Sequence, residues 1–336
     1  MKAKRFACGF FVCLSALCLI LAATFSLAQA AQSKAKASEK FPSKTIRLII
    51  TNKAGGITDK PARLIQPFLE KELGVSVVVE NMDGAGGNIA RSYVYKQPPD
   101  GYTLLVTIQP SLSAGAIVSE GDFDPLKFTP VFNISGKGYM AVAVPYDSSF
   151  KNMKDLIEVA RKKPMTAGGA GIGGNSFIVM SLLNERTGTK FEYVPFNNTT
   201  EGSLALAGGH IDVALTGYQT LMPLQQQKKV RMIAISGPER AELVPDIPTI
   251  KEQGFPGVEV DQMATVFGPP GLPKDRLDIL VRAFEKSAAN KDFLKAAKES
   301  KEILNPMAGE KLRKATLAMH QMIQGVAPAL KAAMKQ

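Results

Sequence analysis

The chain has 336 residues, 45% of them hydrophobic, so it is long enough to bury a core in each of two domains. Its formal net charge of +11 at pH 7 favours anionic ligands weakly, although solubility or contact with anionic lipid would explain it equally well. The chain has no tryptophan and its basic residues are scattered, which argues against nucleic-acid binding.

The first thirty residues are typical of a secretory signal peptide. Lys2, Lys4 and Arg5 form a charged start, residues 10–27 are mostly apolar, and a small-residue cleavage site ends at Ala30. We therefore expect export to the periplasm, with cleavage after about Ala30. A retained membrane anchor stays open as an alternative, because the apolar run approaches the roughly 18 to 20 residues that span a bilayer.

All three cysteines, Cys8, Cys13 and Cys18, lie within this segment. The mature protein would therefore lack disulfides, thiolate nucleophiles and cysteine metal ligands, which suits an oxidising compartment. Residues 31–40 (AQSKAKASEK) are small, polar and charged, and they predict a flexible spacer before the folded chain begins near Phe41.

Short β-branched runs alternate with longer amphipathic segments from Phe41 onward, which is the pattern of β-α-β units. Because the runs are uninterruptedly apolar, they predict parallel sheets covered on both faces. Residues 131–146 are strand-like and lack a crossover helix, so we interpret them as one hinge strand passing between two lobes. The predicted strands are 46–50, 75–79, 103–108, 191–196, 211–217 and 230–237, and the predicted helices are 58–73, one after Gly87, 153–162, 176–187, one between 196 and 211, 273–289, 291–299 and 309–322.

The last three predicted helices have no strand left to alternate with, so we expect them to return and cover the first lobe. The sequence thus predicts an α/β protein of two lobes, each a mostly parallel sheet flanked by helices. Lobe 1 would comprise residues 41–132 and 237–336, and lobe 2 would comprise residues 133–236.

Glycines concentrate where predicted strands lead into helices, and ligands of open parallel sheets sit at those strand ends. Loop one (residues 53–59) follows the first strand, and loop two (residues 81–88) follows the second. Backbone N–H groups and the helix dipole there favour a carboxylate. Either loop alone is explained equally well by turn and cap glycines, but their occurrence after consecutive strands favours a site.

Loop three (residues 168–176) matches a dinucleotide-binding fingerprint at Gly169, Gly171 and Gly174, which by itself is a weak signal. The acid expected at the end of the next strand is missing, because Glu192 lies near that strand's start. We interpret loop three as a third anion-facing turn, opposite loops one and two across a cleft. Residues 196–200 and 216–218 would complete this second wall.

The sequence contains few groups of residues that could form a catalytic or metal-binding site. His210 and His320 have no metal-ligand spacing around them, and we expect both at the surface. Nucleophile-elbow, phosphate-loop and calcium-loop motifs are missing. The sequence predicts a protein that is not an enzyme and uses neither a metal nor another cofactor.

With these loops located, the chain strongly resembles the substrate-binding proteins of tripartite tricarboxylate transporters, the Bug-type receptors. The resemblance extends from about Phe41 to near the C-terminus. The segments that carry it are FPSKTIRLIITNKAGGITD, VVVENMDGAGGNIA, PPDGYTLL, VPF followed by AGGHIDVAL, and VRMIAISGPERAELVPDIPTIKEQGFPG.

The resemblance implies a type II periplasmic-binding fold that closes on a small carboxylate, held by main-chain donors and bridging waters of the first two loops. It also implies two transporter partners, one large and one small membrane subunit; we expect the receptor itself to be a monomer. The ligand-binding residues expected from the loops and the resemblance are Ala54, Gly55, Gly56, Ile57, Thr58, Asp59, Gly84, Ala85, Gly86, Gly87, Asn88, Gln109, Gly171, Ile172, Gly173, Gly174, Asn175, Ser176, Phe196, Asn197, Asn198, Thr199, Thr216 and Tyr218.

This chain departs from the family pattern at Thr51, Asn52, Gly174, Phe177 and Asn198, which leaves the identity of the acid open. Two other functions also stay open. One is an orphan receptor that presents its ligand to a sensor kinase, and the other is an exported oxidoreductase that uses loop three as a dinucleotide turn.

Overall fold

The computed structural model describes residues 41–118, 122–172 and 174–333, and the part from Lys44 onward forms one unit. The predicted signal peptide and spacer lie outside the described residues, as do residues 119–121, Gly173 and residues 334–336. The unit that begins at Lys44 contains two sheets with helices packed against them.

The first sheet has six strands in the order β11-β4-β10-β3-β1-β2, and the second has five in the order β7-β6-β8-β5-β9. The strands of the first sheet are β1 (Ile46–Ile50), β2 (Val77–Asn81), β3 (Thr103–Ile108), β4 (Thr129–Ser135), β10 (Ala264–Gly268) and β11 (Leu304–Met307). Those of the second are β5 (Met140–Pro145), β6 (Met165–Ala170), β7 (Phe191–Phe196), β8 (Val213–Gly217) and β9 (Val230–Ile235).

Both sheets are mixed, whereas the sequence predicted mostly parallel sheets. Strand β1 runs parallel to β2 and β3, and β6 runs parallel to β7 and β8, but the other five of the nine pairings are antiparallel. The antiparallel pairings all involve β5, β10 or β11. Strands β5 and β10 enter a sheet directly after the chain crosses from the other sheet, so neither has a crossover helix to reverse its direction.

The helices follow the predicted alternation, with three additions. Amphipathic spacing located most of them, but α3, α7 and α11 were missed, as were the strands β6, β10 and β11. The helices are α1 (Asp59–Leu73), α2 (Asn88–Tyr95), α3 (Gln109–Val118), α4 (Met153–Ala160), α5 (Asn175–Thr187), α6 (Thr199–Ala207), α7 (Tyr218–Gln226), α8 (Lys274–Ala288), α9 (Lys291–Glu299), α10 (Gly309–Gly325) and α11 (Ala327–Ala333).

Helices cover both faces of the first sheet. On one face α2 and α3 enclose an apolar cluster that includes Val94, Leu105 and Phe267. On the other face α8 packs on α1 and β4, where the rings of Phe132 and Phe284 stack with their centroids 5.3 Å apart. The expectation that the late helices cover the first lobe is correct for α8, which packs on α1 and β4, and for α9, which packs on α1 and α8.

The end of α10 and the start of α11 depart from that expectation. Ile323, Val326 and Leu330 belong to the apolar cluster of the second sheet, together with Phe177 and Leu182 of α5. Helix α10 therefore packs on β4 and α3 along most of its length and joins the second core at its end. Its apolar face spans both lobes, which the sequence pattern of a single amphipathic helix does not reveal.

The predicted hinge strand is two strands. Residues 136–139 separate β4 from β5, because Lys137 adopts a left-handed backbone (φ 58°) that interrupts the extended run. Strand β4 belongs to the first sheet up to Ser135, so the chain leaves that lobe three residues later than the predicted boundary after residue 132. The return crossing is residues 236–263, and Lys137 donates its N–H to Asp261 of that segment at 2.5 Å.

The approach of β6 to α5 provides a stability test. A Cβ on Gly169 would lie 2.3 Å from the Cβ of Ser176 and 2.6 Å from the carbonyl oxygen of Leu215. We expect Gly169→Ala to lower the free energy of unfolding by about 1–3 kcal/mol in urea denaturation, since backbone must move. The control is Gly171→Ala, where a Cβ meets nothing within 4 Å and stability should be unchanged; equal effects would contradict this packing.

Candidate functional site

The predicted loops of the first sheet share one edge. Strands β1, β2 and β3 are parallel, so loop one, loop two and Gln109 all follow the carboxyl ends of strands at the same edge. Strand β4 ends there too, because Ser135 and Ile108 both lie opposite Ala264. The segment 136–139 therefore leaves the first sheet at the edge where the predicted loops lie.

The same arrangement holds in the second sheet. Strands β6, β7 and β8 are parallel, so loop three, residues 196–199 and Tyr218 follow carboxyl ends at one edge. Strand β5 begins at this edge, because Met140 lies opposite Gly217. Strand β9 ends there, with Ile235 opposite Ala141. Both crossing segments thus join the edge that carries loops one and two to the edge that carries loop three.

Loop one is held by its own side chains. The hydroxyl of Thr58 donates to the side-chain oxygen of Asn52 at 2.7 Å, and Thr58 is fully buried. Gly56 donates its N–H to the carbonyl of Lys53 at 3.1 Å, which closes the turn. Ile57 is 45% exposed and lies at the outside of the loop.

Asp59 fixes loop one to the strand end of β2. Its carboxylate accepts from the N–H of Gly55 at 2.7 Å, from Arg63 Nε at 2.9 Å and from the side-chain amide of Asn81 at 2.9 Å. Burial alone would raise the pKa of Asp59, but these donors together hold it below its usual value. Asp59 was predicted as a ligand-binding residue; the structure occupies its carboxylate with these three internal donors.

Loop two has an unusual backbone. Gly84, Ala85, Gly86 and Gly87 all have positive φ, and Ala85 adopts φ 48°, which is strained for a residue with a side chain. Gly87 donates to the carbonyl of Gly84 at 2.9 Å. A Cβ on Gly86 would meet nothing within 4 Å, so its backbone is open to approach.

The free backbone donors differ from those expected. The N–H groups of Gly55, Gly56 and Gly87 donate to acceptors within the loops themselves. Among the described residues, no acceptor is found for the N–H groups of Ile57 and Thr58 in loop one or of Ala85 and Gly86 in loop two. The N–H groups of Lys53 and Ala54 in loop one and of Asp83 and Gly84 in loop two likewise have no acceptor among the described residues, so each loop keeps four free donors. Sequence reasoning located the loops but could not tell which amides the turns would use.

Arg91, the fourth residue of α2, was missed by sequence reasoning. It is 2% exposed, and its guanidinium donates to Asn88 Oδ1 at 2.7 Å, Gly86 O at 3.0 Å and Thr107 Oγ1 at 3.2 Å. Burial lowers its pKa to about 9. Asn88, predicted as a ligand residue, thus accepts from Arg91. A cation on the buried face of an amphipathic helix is the signal that the sequence offered.

Gln109 begins α3 and is 2% exposed. Its amide nitrogen donates to Thr316 of α10 at 2.9 Å, while its Oε1 is buried and has no partner among the described residues. One helical turn further, Ser113 Oγ lies 3.2 Å from Nδ1 of His320. His320 is half-buried at this α3–α10 contact, with its Nε2 near the exposed side chain of Gln324, and His210 is exposed as expected.

Residues 196–199 present polar groups at the second edge. The side chains of Asn197 and Asn198 each donate to the carboxylate of Glu201 at 3.0 Å, and Asn198 caps α6 through the N–H of Glu201. Phe196 is half-buried and its ring lies against Gly168 and Gly202. Thr199 accepts from the hydroxyl of Ser203 through its carbonyl.

Loop three leads into α5. Gly168, Gly169 and Ala170 belong to β6, so the turn itself is shorter than predicted and begins at Gly171. Gly171 is exposed and Ile172 is 39% exposed, whereas Ser176 is buried. Gly174 donates its N–H to the carbonyl of Gly171 at 3.0 Å. Gly173, the other predicted residue of this loop, lies outside the described residues.

Thr216 and Tyr218 are fully buried, which was not expected of cleft-lining residues. The hydroxyl of Thr216 lies 3.0 Å from that of Ser203, inside the contact of β8 with α6. The ring of Tyr218 belongs to the second sheet's core, and burial together with the charge of Glu242 raises its pKa to about 12. Alternation along β8 and the onset of α7 turn these side chains inward.

Unpartnered buried polar atoms concentrate in the predicted site. In the part of the chain that the structure describes, seven buried side-chain atoms have no hydrogen-bond partner, and four belong to predicted residues: Gln109 Oε1, Asn175 Oδ1, Ser176 Oγ and the Tyr218 hydroxyl. Buried polar groups are normally paired, so each of these is open to a ligand or a water. Within residues 41–118, 122–172 and 174–333, no hydrogen bond or ion pair joins loops one and two to loop three.

Across the described ranges, no three acidic, histidine or cysteine side chains are grouped closely enough to hold a metal ion. The described helices include none with the length and apolar character needed to cross a bilayer.

Two mixed sheets flanked by helices and joined by two crossing segments define a two-lobed binding-protein fold. The chain matches the family described as TctC, tripartite tricarboxylate transporter family receptor, over residues 62–325. It belongs to this family of solute-binding receptors, as the sequence resemblance indicated. A UPF0065 protein from Cupriavidus necator is 32% identical over 80% of this chain and 82% of that protein.

Solved structures agree with the family. A TctC solute-binding protein from Polaromonas has a TM-score of 0.76 at 21% identity, covering 86% of this chain and all of that chain. A Rhodopseudomonas palustris protein solved with adipate has a TM-score of 0.69 at 26% identity, covering 87% of this chain and 99% of its own. MatC from the same organism, with bound malate, has a TM-score of 0.64 at 26% identity and covers 88% and 100%.

The contacts of Asp59 predict a pH-dependent stability. We expect Asp59→Asn to lower the free energy of unfolding by about 1.5–3 kcal/mol at pH 7, since bonds from charged and backbone donors are weakened. The pKa of Asp59 is lowered on folding, so this contribution is full above the unfolded-state value of about 3.9 and declines as pH falls below it.

The measurement is urea unfolding of both proteins between pH 7 and pH 3. Asp278→Asn is the matched control, because Asp278 pairs with Lys274 on the surface and should contribute less than about 0.5 kcal/mol. A constant difference between wild type and Asp59→Asn down to pH 3 would contradict the assignment.

Proposed function

We propose that this protein is an exported receptor that captures a small carboxylate between its two lobes and delivers it to the membrane subunits of a tripartite tricarboxylate-type transporter. The observation that carries the proposal is the topology of the strand ends. Loops after parallel strands of both sheets lie at edges that two crossing segments join, so a ligand between them contacts both lobes. Residues 44–135, with the part of the chain that follows the return crossing, would form one wall of the cleft, and residues 140–235 would form the other.

The ligand class follows from donors and relatives together. Loops one and two keep free N–H groups at Ile57, Thr58, Ala85 and Gly86, and the first two precede the amino end of α1. A helix N-terminus stabilises an anion by about 0.3–2 kcal/mol through its dipole. The structural relatives solved with malate and adipate both hold dicarboxylic acids. We therefore assign a dicarboxylate or tricarboxylate to this chain, with one carboxylate at loops one and two.

The second wall would contact the remainder of the ligand. Loop three contributes the buried acceptor of Asn175 and the hydroxyl of Ser176, and residues 196–199 contribute the amides bound to Glu201. Contacts to both walls exist together only when the lobes approach each other. Ligand therefore selects the closed form, and that form is the one the transporter would recognise.

Two other functions are less well supported. An orphan receptor for a sensor kinase would use the same ligand site, and it would differ from a transport receptor only in its membrane partner. An exported oxidoreductase would need a dinucleotide at loop three, yet Gly169 of the fingerprint is packed against Ser176 and the backbone of Leu215. The first glycine of the fingerprint forms the tight turn after the strand, whereas Gly169 lies within strand β6.

The first test is a binding screen on the protein purified from the periplasm. Malate, adipate, citrate, succinate and glutamate are added singly, and we expect at least one acid to raise the melting temperature through its preference for the folded state. Calorimetry then gives its affinity. If no acid stabilises the protein while NAD binds tightly, the receptor proposal fails and the oxidoreductase gains support.

Loop two can be tested with a matched pair of glycine variants. We expect Gly86→Val to abolish acid binding, because a branched side chain would occupy the open face beside the free amides of loop two. Gly86 has φ 63° and Gly74, at the far end of α1, has φ 69° with equally open surroundings. Gly74→Val therefore carries the same backbone strain and should keep its affinity. Unchanged binding by Gly86→Val, measured by calorimetry, would remove loop two from the site.

A further inference from the structure

Arg91 is a buried positive charge without an acidic partner. Its three donor nitrogens contact one side-chain amide oxygen, one carbonyl and one hydroxyl, belonging to Asn88, Gly86 and Thr107. All three acceptors are neutral. Among the described residues no carboxylate pairs with this guanidinium, although most other buried or half-buried cations of proteins are paired.

Two glycines, one on α3 and one in loop two, leave space for the guanidinium of Arg91. A Cβ on Gly115 of α3 would lie 2.6 Å from Nη1 of Arg91, and a Cβ on Gly87 of loop two would lie 3.1 Å from Nη2. Gly87 also lies against Thr51, the first residue after β1. The guanidinium is therefore enclosed where the ends of β1 and β3 meet loop two, at the edge where we place the ligand's carboxylate.

Burying a cation without a counter-charge is costly, because neutral acceptors replace its hydration only in part. Arg91 remains protonated at neutral pH, since burial lowers its pKa only to about 9. A negative charge brought to loop two would offset that cost, and a low local dielectric strengthens the attraction. The site thus has a built-in preference for an ionised group.

We propose that Arg91 is the counter-charge for the ligand's carboxylate, acting from beneath loop two so that the site selects an ionised acid over its uncharged amide. The inference rests on the proposed function, and it specifies that the first wall recognises the negative charge of the ligand. Arg91 is a positioning residue: its Nη1 holds the carbonyl of Gly86, and the N–H of the same residue is one of the free donors. Loop two is thereby oriented and polarised by one side chain.

The test compares Arg91→Met, Arg91→Lys and wild type in the acid screen, with acetate and acetamide as minimal charged and uncharged probes. We expect every acid that stabilises wild type to lose at least tenfold in affinity with Arg91→Met and to recover part of it with Arg91→Lys. Acetamide should stabilise none of them. Arg313→Met is the control, because it removes the same charge from a side chain that is 72% exposed and should bind as wild type does.

A second variant covers the case in which Arg91→Met does not fold. Gly115→Ala keeps the charge but displaces the guanidinium together with Asn88, since the new Cβ would lie 2.3 Å from Asn88 Oδ1 and 2.6 Å from Arg91 Nη1, and it should weaken acid binding by a measurable factor. Acid binding by Arg91→Met or Gly115→Ala equal to that of wild type would overturn the role of Arg91 and leave the receptor proposal standing. Absence of acid binding by wild type itself would instead remove both.

Discussion

Strand β10 determines how the two halves of this protein are arranged. It returns from the second lobe and pairs antiparallel with both β3 and β4, so the chain's exit and re-entry lie side by side in one sheet. Because Ala264 is opposite both Ile108 and Ser135, each crossing begins or ends at the edge that bears loops one and two. Without this pairing the glycine loops of the two sheets would have no reason to lie near one hinge.

The loops at that edge combine rigidity with unused donors. Asp59 and Asn81 hold loop one through charge-assisted bonds, while Arg91 holds loop two from below. Such support preorganises backbone amides, so that binding does not have to order them. Under the proposed function, the inward orientation of Asp59 also keeps its negative charge away from the ligand's carboxylate.

Much of this could be predicted from the sequence. The apolar runs of β1 and β3 located these two strands correctly, because burial on both faces leaves a continuous hydrophobic pattern. The glycine loops after β1 and β2 lie at one edge of the first sheet, as expected. Strand β6 was missed, because its last residues were interpreted as part of a glycine-rich turn. The family resemblance was confirmed by a match over residues 62–325. What failed depended on long-range pairing: β10 and β11 are short and carry weak patterns, and their place in the sheet is set by partners more than a hundred residues away.

The sequence by itself determined the class of fold and the position of the glycine loops, since these depend on local periodicity and on turns that glycine favours. The family followed from the resemblance of the quoted segments to known receptors. Only the tertiary structure decided which groups in those loops are available. Asp59 and Asn88 are occupied by neighbours, Thr216 and Tyr218 turn into the core, and Arg91 is buried without an acid. Hydrogen-bond partners and burial depend on residues that are distant in the chain, so a local sequence pattern does not predict them.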